Sequence, residues 1–134
     1  MGEGFSLECK NCAHHDRFML GVGMAYYSLE NVMQCLPTAR RKRVRQILDT
    51  REILRTDYYY ELYACPKCCT LHERFFVSIA DNDGVIYETS FRCGKCRELL
   101  AAVEFVGEKM DWSPYVCKSC GEHALVEGIS LCWD

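Results

Sequence analysis

Four Cys-x-x-Cys pairs punctuate the chain: Cys9/Cys12, Cys65/Cys68, Cys93/Cys96 and Cys117/Cys120. Two residues between cysteines let a tight turn aim both sulfurs at one ion, and two such turns complete a tetrahedral four-sulfur shell. The spacing therefore predicts two closed metal sites. With 134 residues, each half of the chain is too short to bury a self-sufficient core without a staple. Metal supplies one, because ligating a site that exists only when folded adds binding energy to folding energy.

The flanking sequence says what the pairs sit on. Residues 28–55 form the one helical stretch. Ser28 is placed to cap a short helix over LENVMQCL, Pro37 breaks it, and Thr38 is placed to cap a second helix. In that second helix Val44, Ile47 and Leu48 share one face, which Ile53 and Leu54 are expected to extend by a turn. From residue 57 onward the pattern changes to strands. YYYELYA runs into Cys65, TLHERFFVSIA leaves Cys68, and Asp81-Asn82-Asp83-Gly84 signals a tight hairpin. VIYETSF then enters Cys93, ELLAAVEFV leaves Cys96, and HALVEGISLCW leaves Cys120. Near the start, Gly21 and Gly23 interrupt an apolar run and suggest a bulge or a close backbone approach.

The pattern resembles zinc-ribbon proteins, whose hairpin tips hold the metal between short antiparallel strands. It is also similar to a group of small bacterial proteins in which an N-terminal knuckle precedes an LGVGM-x-Y-like segment, a helical insert and further knuckles. The matching residues are CKNC, LGVGMAYY, CPKC, CGKC and CKSCG. The resemblance implies metal binding. It departs where ribbons often carry glycine after a knuckle, since Ala13, Cys69 and Arg97 stand there.

The expected fold is thus α+β, a small antiparallel zinc-ribbon architecture with two metal knuckle sites and a short helical insert. Two pairings of the knuckles are open. The sequential one joins Cys9, Cys12, Cys65 and Cys68 in one site and Cys93, Cys96, Cys117 and Cys120 in the other. The nested one joins 65/68 with 93/96 across the DNDG hairpin and leaves 9/12 with 117/120. The sequential pairing is preferred, because it leaves a compact second ribbon with 20 residues between its pairs. It divides the chain into a first ribbon with the helical insert over 1–80 and a second over 81–134, packed as one unit. The expected cofactors are two Zn²⁺, with iron as the minor alternative, since rubredoxin-type iron takes the same four sulfurs.

Charge and compartment narrow the function. Lys and Arg number 16 against 19 Asp and Glu, a net charge of −3. Two Zn²⁺ held by eight thiolates take this to about −7. Such a chain is poorly suited to coating nucleic acid, whose affinity comes largely from phosphate neutralisation. The start, MGEGFSLECKNC, has neither the basic nor the apolar region of a signal peptide, and the longest apolar stretches are far too short to span a bilayer. Eleven cysteines, an odd count, also suit metals in a reducing cytoplasm better than a disulfide framework. The expectation is a cytoplasmic structural zinc-binding protein, a protein-interaction or adaptor module with a protein partner. The alternative is a nucleic-acid-binding ribbon that uses Arg40, Arg41, Lys42 and Arg43, with Arg45 beside them, and an aromatic platform drawn from Tyr58, Tyr59, Tyr60, Tyr63, Phe75 and Phe76. An enzyme is not expected, because no nucleophile–base pair or open metal position shows itself.

The remaining candidates read as bystanders. Cys69 follows a pair whose spacing is already complete. Cys35 and Cys132 read as small buried hydrophobes. His14, His15, His72 and His123 are not needed where each ion has four cysteines.

Overall fold

The computed structural model describes residues 2–22, 29–104 and 110–133. Three of the signals read from sequence, Gly23, the Ser28 cap and the side chain of Cys132, lie outside what it describes.

Two long hairpins organise the molecule, and each turns at a Cys-x-x-Cys knuckle. Strands β1 (Gly2–Cys9) and β2 (His15–Gly21) pair antiparallel from Glu8↔His15 to Gly2↔Gly21. Strands β3 (Arg55–Ala64) and β4 (Leu71–Asp81) pair from Ala64↔Leu71 to Arg55↔Ala80. The DNDG signal makes a third hairpin, β4 to β5 (Gly84–Glu88), with Asp81 opposite Gly84. Its turn is fixed by the Asp83 N–H donating to Asp81 Oδ1 at 2.8 Å, and Gly84 takes a φ of 123° that a side chain would oppose.

Two later strands tie these hairpins to the knuckles that follow them. Strand β6 (Ala101–Ala102) joins β3, and β7 (Leu125–Trp133) joins β1 from Cys9↔Leu125 to Gly2↔Trp133. The sheet order is β5-β4-β3-β2-β1-β7, with β6 on β3. The same plan thus occurs twice: a knuckle-tipped hairpin whose first strand pairs with the strand after a second knuckle. One copy occupies residues 55–104 and is inserted between the two parts of the other. Across the seam β2 and β3 pair antiparallel at Gly21↔Tyr60 among the described residues.

Helices α1 (Leu29–Met33) and α2 (Thr38–Thr50) cover one end of the inserted unit. Val44 and Ile47, three residues apart, bury against Phe75, Val77 and Ile79 of β4, together with Met33 and Leu36. Helix α1 stops at Met33, short of the LENVMQCL expected, and two details of α2 also differ from the sequence reading. Thr38 is the first helical residue, and the cap is Pro37, with φ −57° and ψ 154° and no side-chain cap bond. Proline's fixed φ already provides the extended entry that a capping threonine would have supplied. The helix also stops at Thr50. Ile53 still packs on the cluster from the connecting segment, but Leu54 is 71% exposed.

A second cluster joins the two copies. Phe5, Leu7, Phe18 and Trp112 of the outer unit bury against Leu62, Leu71 and Val103 of the inserted one. On the outer unit's side, the Phe5 ring centroid lies 5.3 Å from that of Phe18 and 5.4 Å from that of Trp112. This core draws on residues from both sides of position 80.

Candidate metal centres

All four knuckles have one backbone geometry. In each, the N–H of the first cysteine donates to the carbonyl five residues on: Cys9 to His14, Cys65 to Thr70, Cys93 to Glu98 and Cys117 to Glu122, at 2.7–3.0 Å. The carbonyl of that cysteine accepts from the residue after the second one: Ala13, Cys69, Arg97 and Gly121, at 2.8–3.0 Å. That last residue is left-handed every time, with φ of 60°, 60°, 61° and 76°. The departures from glycine noted above therefore fall where the backbone most favours it.

The knuckles meet in the nested arrangement, and the preferred sequential pairing is corrected. Cys9, Cys12, Cys117 and Cys120 form one group, and Cys65, Cys68, Cys93 and Cys96 the other, with all sulfurs of a group within 4.8 Å of one another. Individual separations are 3.6 Å for Cys9–Cys120, 3.6 Å for Cys12–Cys117 and 3.8 Å for Cys68–Cys93. Two sulfurs on one tetrahedral Zn²⁺ stand about 3.8 Å apart, given bonds of about 2.3 Å. The physical reason for the nesting is strand pairing. The β4–β5 hairpin reverses the chain, so the segment after it returns along β4, with Thr89 N–H donating to Val77 O at 3.0 Å, and delivers Cys93 to Cys68. The β1–β7 ladder, continued by Lys10 N–H donating to Ala124 O at 3.0 Å, delivers the Cys117 knuckle to Cys9.

The thiols are prepared for ionisation, but not for joint ionisation. Backbone N–H groups donate to Cys65 Sγ and Cys93 Sγ at 3.5 Å and to Cys117 Sγ at 3.3 Å. Burial opposes the Cys68 thiolate, yet bonds from the Thr70 hydroxyl and backbone outweigh it and bring the thiol down to about 6. The Asn11 side chain and the Glu122 backbone bring Cys120 down to about 6. Cys96 and Cys12 move the opposite way. Bonding to Cys68, with burial, pushes Cys96 up to about 12. At Cys12 the His14 backbone favours the thiolate, but burial and the sulfurs of Cys117, Cys120 and Cys9 push it up to about 11. Four sulfurs this close repel as anions, and a thiophilic dication is what lets all four ionise together. Zinc and iron both satisfy that donor set.

The two groups touch through the backbone. Val116 N–H donates to Cys69 O at 3.0 Å, joining the residue before Cys117 to the residue after Cys68. Cys69 is outside both groups and serves as the left-handed residue of its knuckle. Cys35 packs on the helical cluster and accepts from the Tyr60 hydroxyl at 3.9 Å. The histidines also lie outside both groups. His14 faces Asp16 at 3.2 Å, and His123 Nδ1 donates to Ser113 O at 2.8 Å. His72 Nε2 stands 2.9 Å from the Thr70 hydroxyl, and burial, with Lys118 and Arg74, brings its pKa down to about 4. Sequence reasoning missed Thr70 and Asn11. The available signal was a hydroxyl or amide within two residues of a ligand sulfur.

The basic helix divides by role. Arg40 donates to Ser90 O at 2.7 Å and lies 4.6 Å over the Phe91 ring. Arg41 closes the end of α1 through Met33 O at 3.1 Å and Leu36 O at 3.2 Å. Arg45 faces Glu30 at 3.5 Å. Lys42 and Arg43 remain exposed. The aromatics divide too: Tyr58, Tyr60 and Phe75 pack the helical cluster, Tyr63 is buried near Cys65 and Cys93, and Tyr59 pairs with Phe76 at 5.1 Å. None of the described helices is long and apolar enough to cross a membrane. No protein-family model, curated protein or solved structure matches the chain.

Proposed function

We propose that the protein is a structural zinc protein in which two Zn²⁺ ions, each held by four cysteines, fix an interleaved pair of ribbons as a scaffold for protein interaction. The observation that carries this reading is the convergence of eight cysteines into two groups, with every sulfur within 4.8 Å of its partners. Four thiolates per ion complete the shell, which is the signature of a structural rather than a catalytic site. Each centre then carries about −2, offset by exposed knuckle lysines, Lys10 and Lys118 at one and Lys67 and Lys95 at the other. An adaptor role is favoured over nucleic-acid binding because Arg41 is engaged at the end of α1, Arg45 faces Glu30 and the chain is acidic overall. Elemental analysis of protein purified without added metal is expected to find two zinc per chain. One or none would overturn the two-centre reading, and iron in its place would change the metal while keeping the scaffold. Exposed Lys42 and Arg43 keep the nucleic-acid alternative in view, and absence of binding at low salt disposes of it.

A further inference from the structure

A cleft of about 350 Å³ opens where the helical insert meets the inserted ribbon. Its apolar wall is aromatic: Phe75, Tyr60 and Phe91 line it, with Tyr60 and Phe75 in an edge-to-face pair at 4.8 Å. Its polar side holds two guanidinium groups, Arg40 from α2 and Arg74 from β4. Among the described residues neither is in an ion pair. Arg40 donates one bond to Ser90 O and Arg74 one to Glu73 O at 2.8 Å, out of the five donors each guanidinium carries. The single carboxylate of the cleft, Glu73, is engaged by the Met19 N–H. Two cations against one anion leave one positive charge in surplus, next to ring faces.

We propose that this cleft binds a small aromatic monocarboxylate, its ring against Phe75 and Tyr60 and its carboxylate on Arg74 and on Arg40, whose guanidinium lies over Phe91. Charge and size both select this class. The surplus of one charge matches a monoanion and disfavours a polyphosphate. The volume lies at the lower end of the range for small-molecule pockets and admits one or two rings. A guanidinium presents a planar fork to a carboxylate, and an adjoining aromatic wall adds the apolar burial that a bare anion lacks. No cysteine of either four-cysteine group lines the cleft, although its Phe91 wall packs against the cluster around Cys65 and Cys93. Cys35 also lines the cleft and serves as a reporter of occupancy.

The test uses the full zinc-loaded chain and 2-naphthoate as probe, followed by calorimetry. One probe per chain is expected, with neutral 2-naphthamide about tenfold weaker or worse and inorganic phosphate unable to displace the probe. Arg74→Gln is expected to weaken binding about tenfold at unchanged zinc content. In the wild-type protein the probe is expected to slow N-ethylmaleimide labelling of Cys35, read by peptide mapping, while the rate at Cys69 stays the same. That readout needs no variant to fold. No saturable binding up to about 1 mM, equal affinity for the amide, displacement by phosphate, or an unprotected Cys35 would each overturn the proposal.

Discussion

Cys9 and Cys120 place their sulfurs 3.6 Å apart across 111 residues of chain, whereas Cys68 and Cys93 meet at 3.8 Å across 25. The first centre therefore closes nearly the whole described chain, and the second closes one local unit. Closing the longer loop costs more entropy, so the outer centre depends more on what is already folded. Its surroundings add to that dependence. Phe5, Leu7 and Trp112 pack on Leu62, Leu71 and Val103 of the inserted unit, and the Cys117 knuckle leans on Cys69 through Val116. The inserted unit has a helical cluster of its own. Two variants of the full chain should then behave unequally. Cys9→Ser with Cys117→Ser should leave one metal per chain and preserve amide protection in β3 and β4. Cys65→Ser with Cys93→Ser should lose both metals. Retention of one metal by the second variant would show that the outer centre stands alone.

Thr70 gives a pH prediction. Its hydroxyl lies 3.1 Å from Cys68 Sγ and helps hold that thiol near 6, well below its ordinary 9.0. A thiol depressed in the folded state contributes stability in full above 9.0. The contribution shrinks as the pH falls and is gone below about 6. His72, lowered from 6.5 to about 4, acts in the same direction between those values, since only the unfolded chain takes up its proton there. Thr70→Val keeps the shape and removes the bond to sulfur. Acid release of metal, followed with a chromogenic zinc chelator, should begin about one pH unit higher in the variant. An unchanged release curve would mean the hydroxyl does not stabilise the thiolate.

The sequence made the local devices legible and left their assembly hidden. The eight clustered cysteines announced themselves by spacing, Asp83-Gly84 announced its hairpin, and Val44 with Ile47 announced the buried face of α2. Each signal lies within a few residues of its consequence. The pairing of knuckles does not, because it depends on β1 finding β7, two segments at opposite ends of the described chain whose own residues say nothing of the other. Compactness between Cys96 and Cys117 was the wrong guide, since the β4–β5 hairpin had already turned Cys93 back toward Cys68. The basic run misled for a similar reason. Arg40 and Arg41 read as surface charge until the Ser90 carbonyl and the end of α1 are in place to receive them.

That division of the basic helix is itself testable. Arg41 donates to Met33 O at the end of α1 and to Leu36 O just beyond it, where helix-end carbonyls are partly negative. Arg41→Ala should destabilise the zinc-loaded protein by about 1–2 kcal/mol. Lys42→Ala and Arg43→Ala, at exposed positions, should change stability by less than about 0.5 kcal/mol. Urea unfolding monitored by circular dichroism separates the cases, and equal effects at positions 41 and 43 would remove the capping role.

The left-handed residue that closes each knuckle gives the last prediction. Ala13, Cys69 and Arg97 hold φ near 60°, where a side chain crowds its own backbone, while Gly121 meets the same demand without that cost. The strain is of order 1 kcal/mol per site. Replacing the side chain by hydrogen relieves it but also loosens the unfolded chain, which cancels part of the gain. Ala13→Gly and Arg97→Gly should therefore stabilise the metal-loaded protein by about 0.5 kcal/mol each, the net of those two effects. Gly121→Ala should destabilise it by a similar amount, and for a purely conformational reason, since a Cβ there meets nothing within 4 Å. Opposite signs at equivalent positions of one repeated motif are a stringent outcome. A destabilised Ala13→Gly would mean that the residue's contacts, rather than its backbone angle, decide what the knuckle accepts.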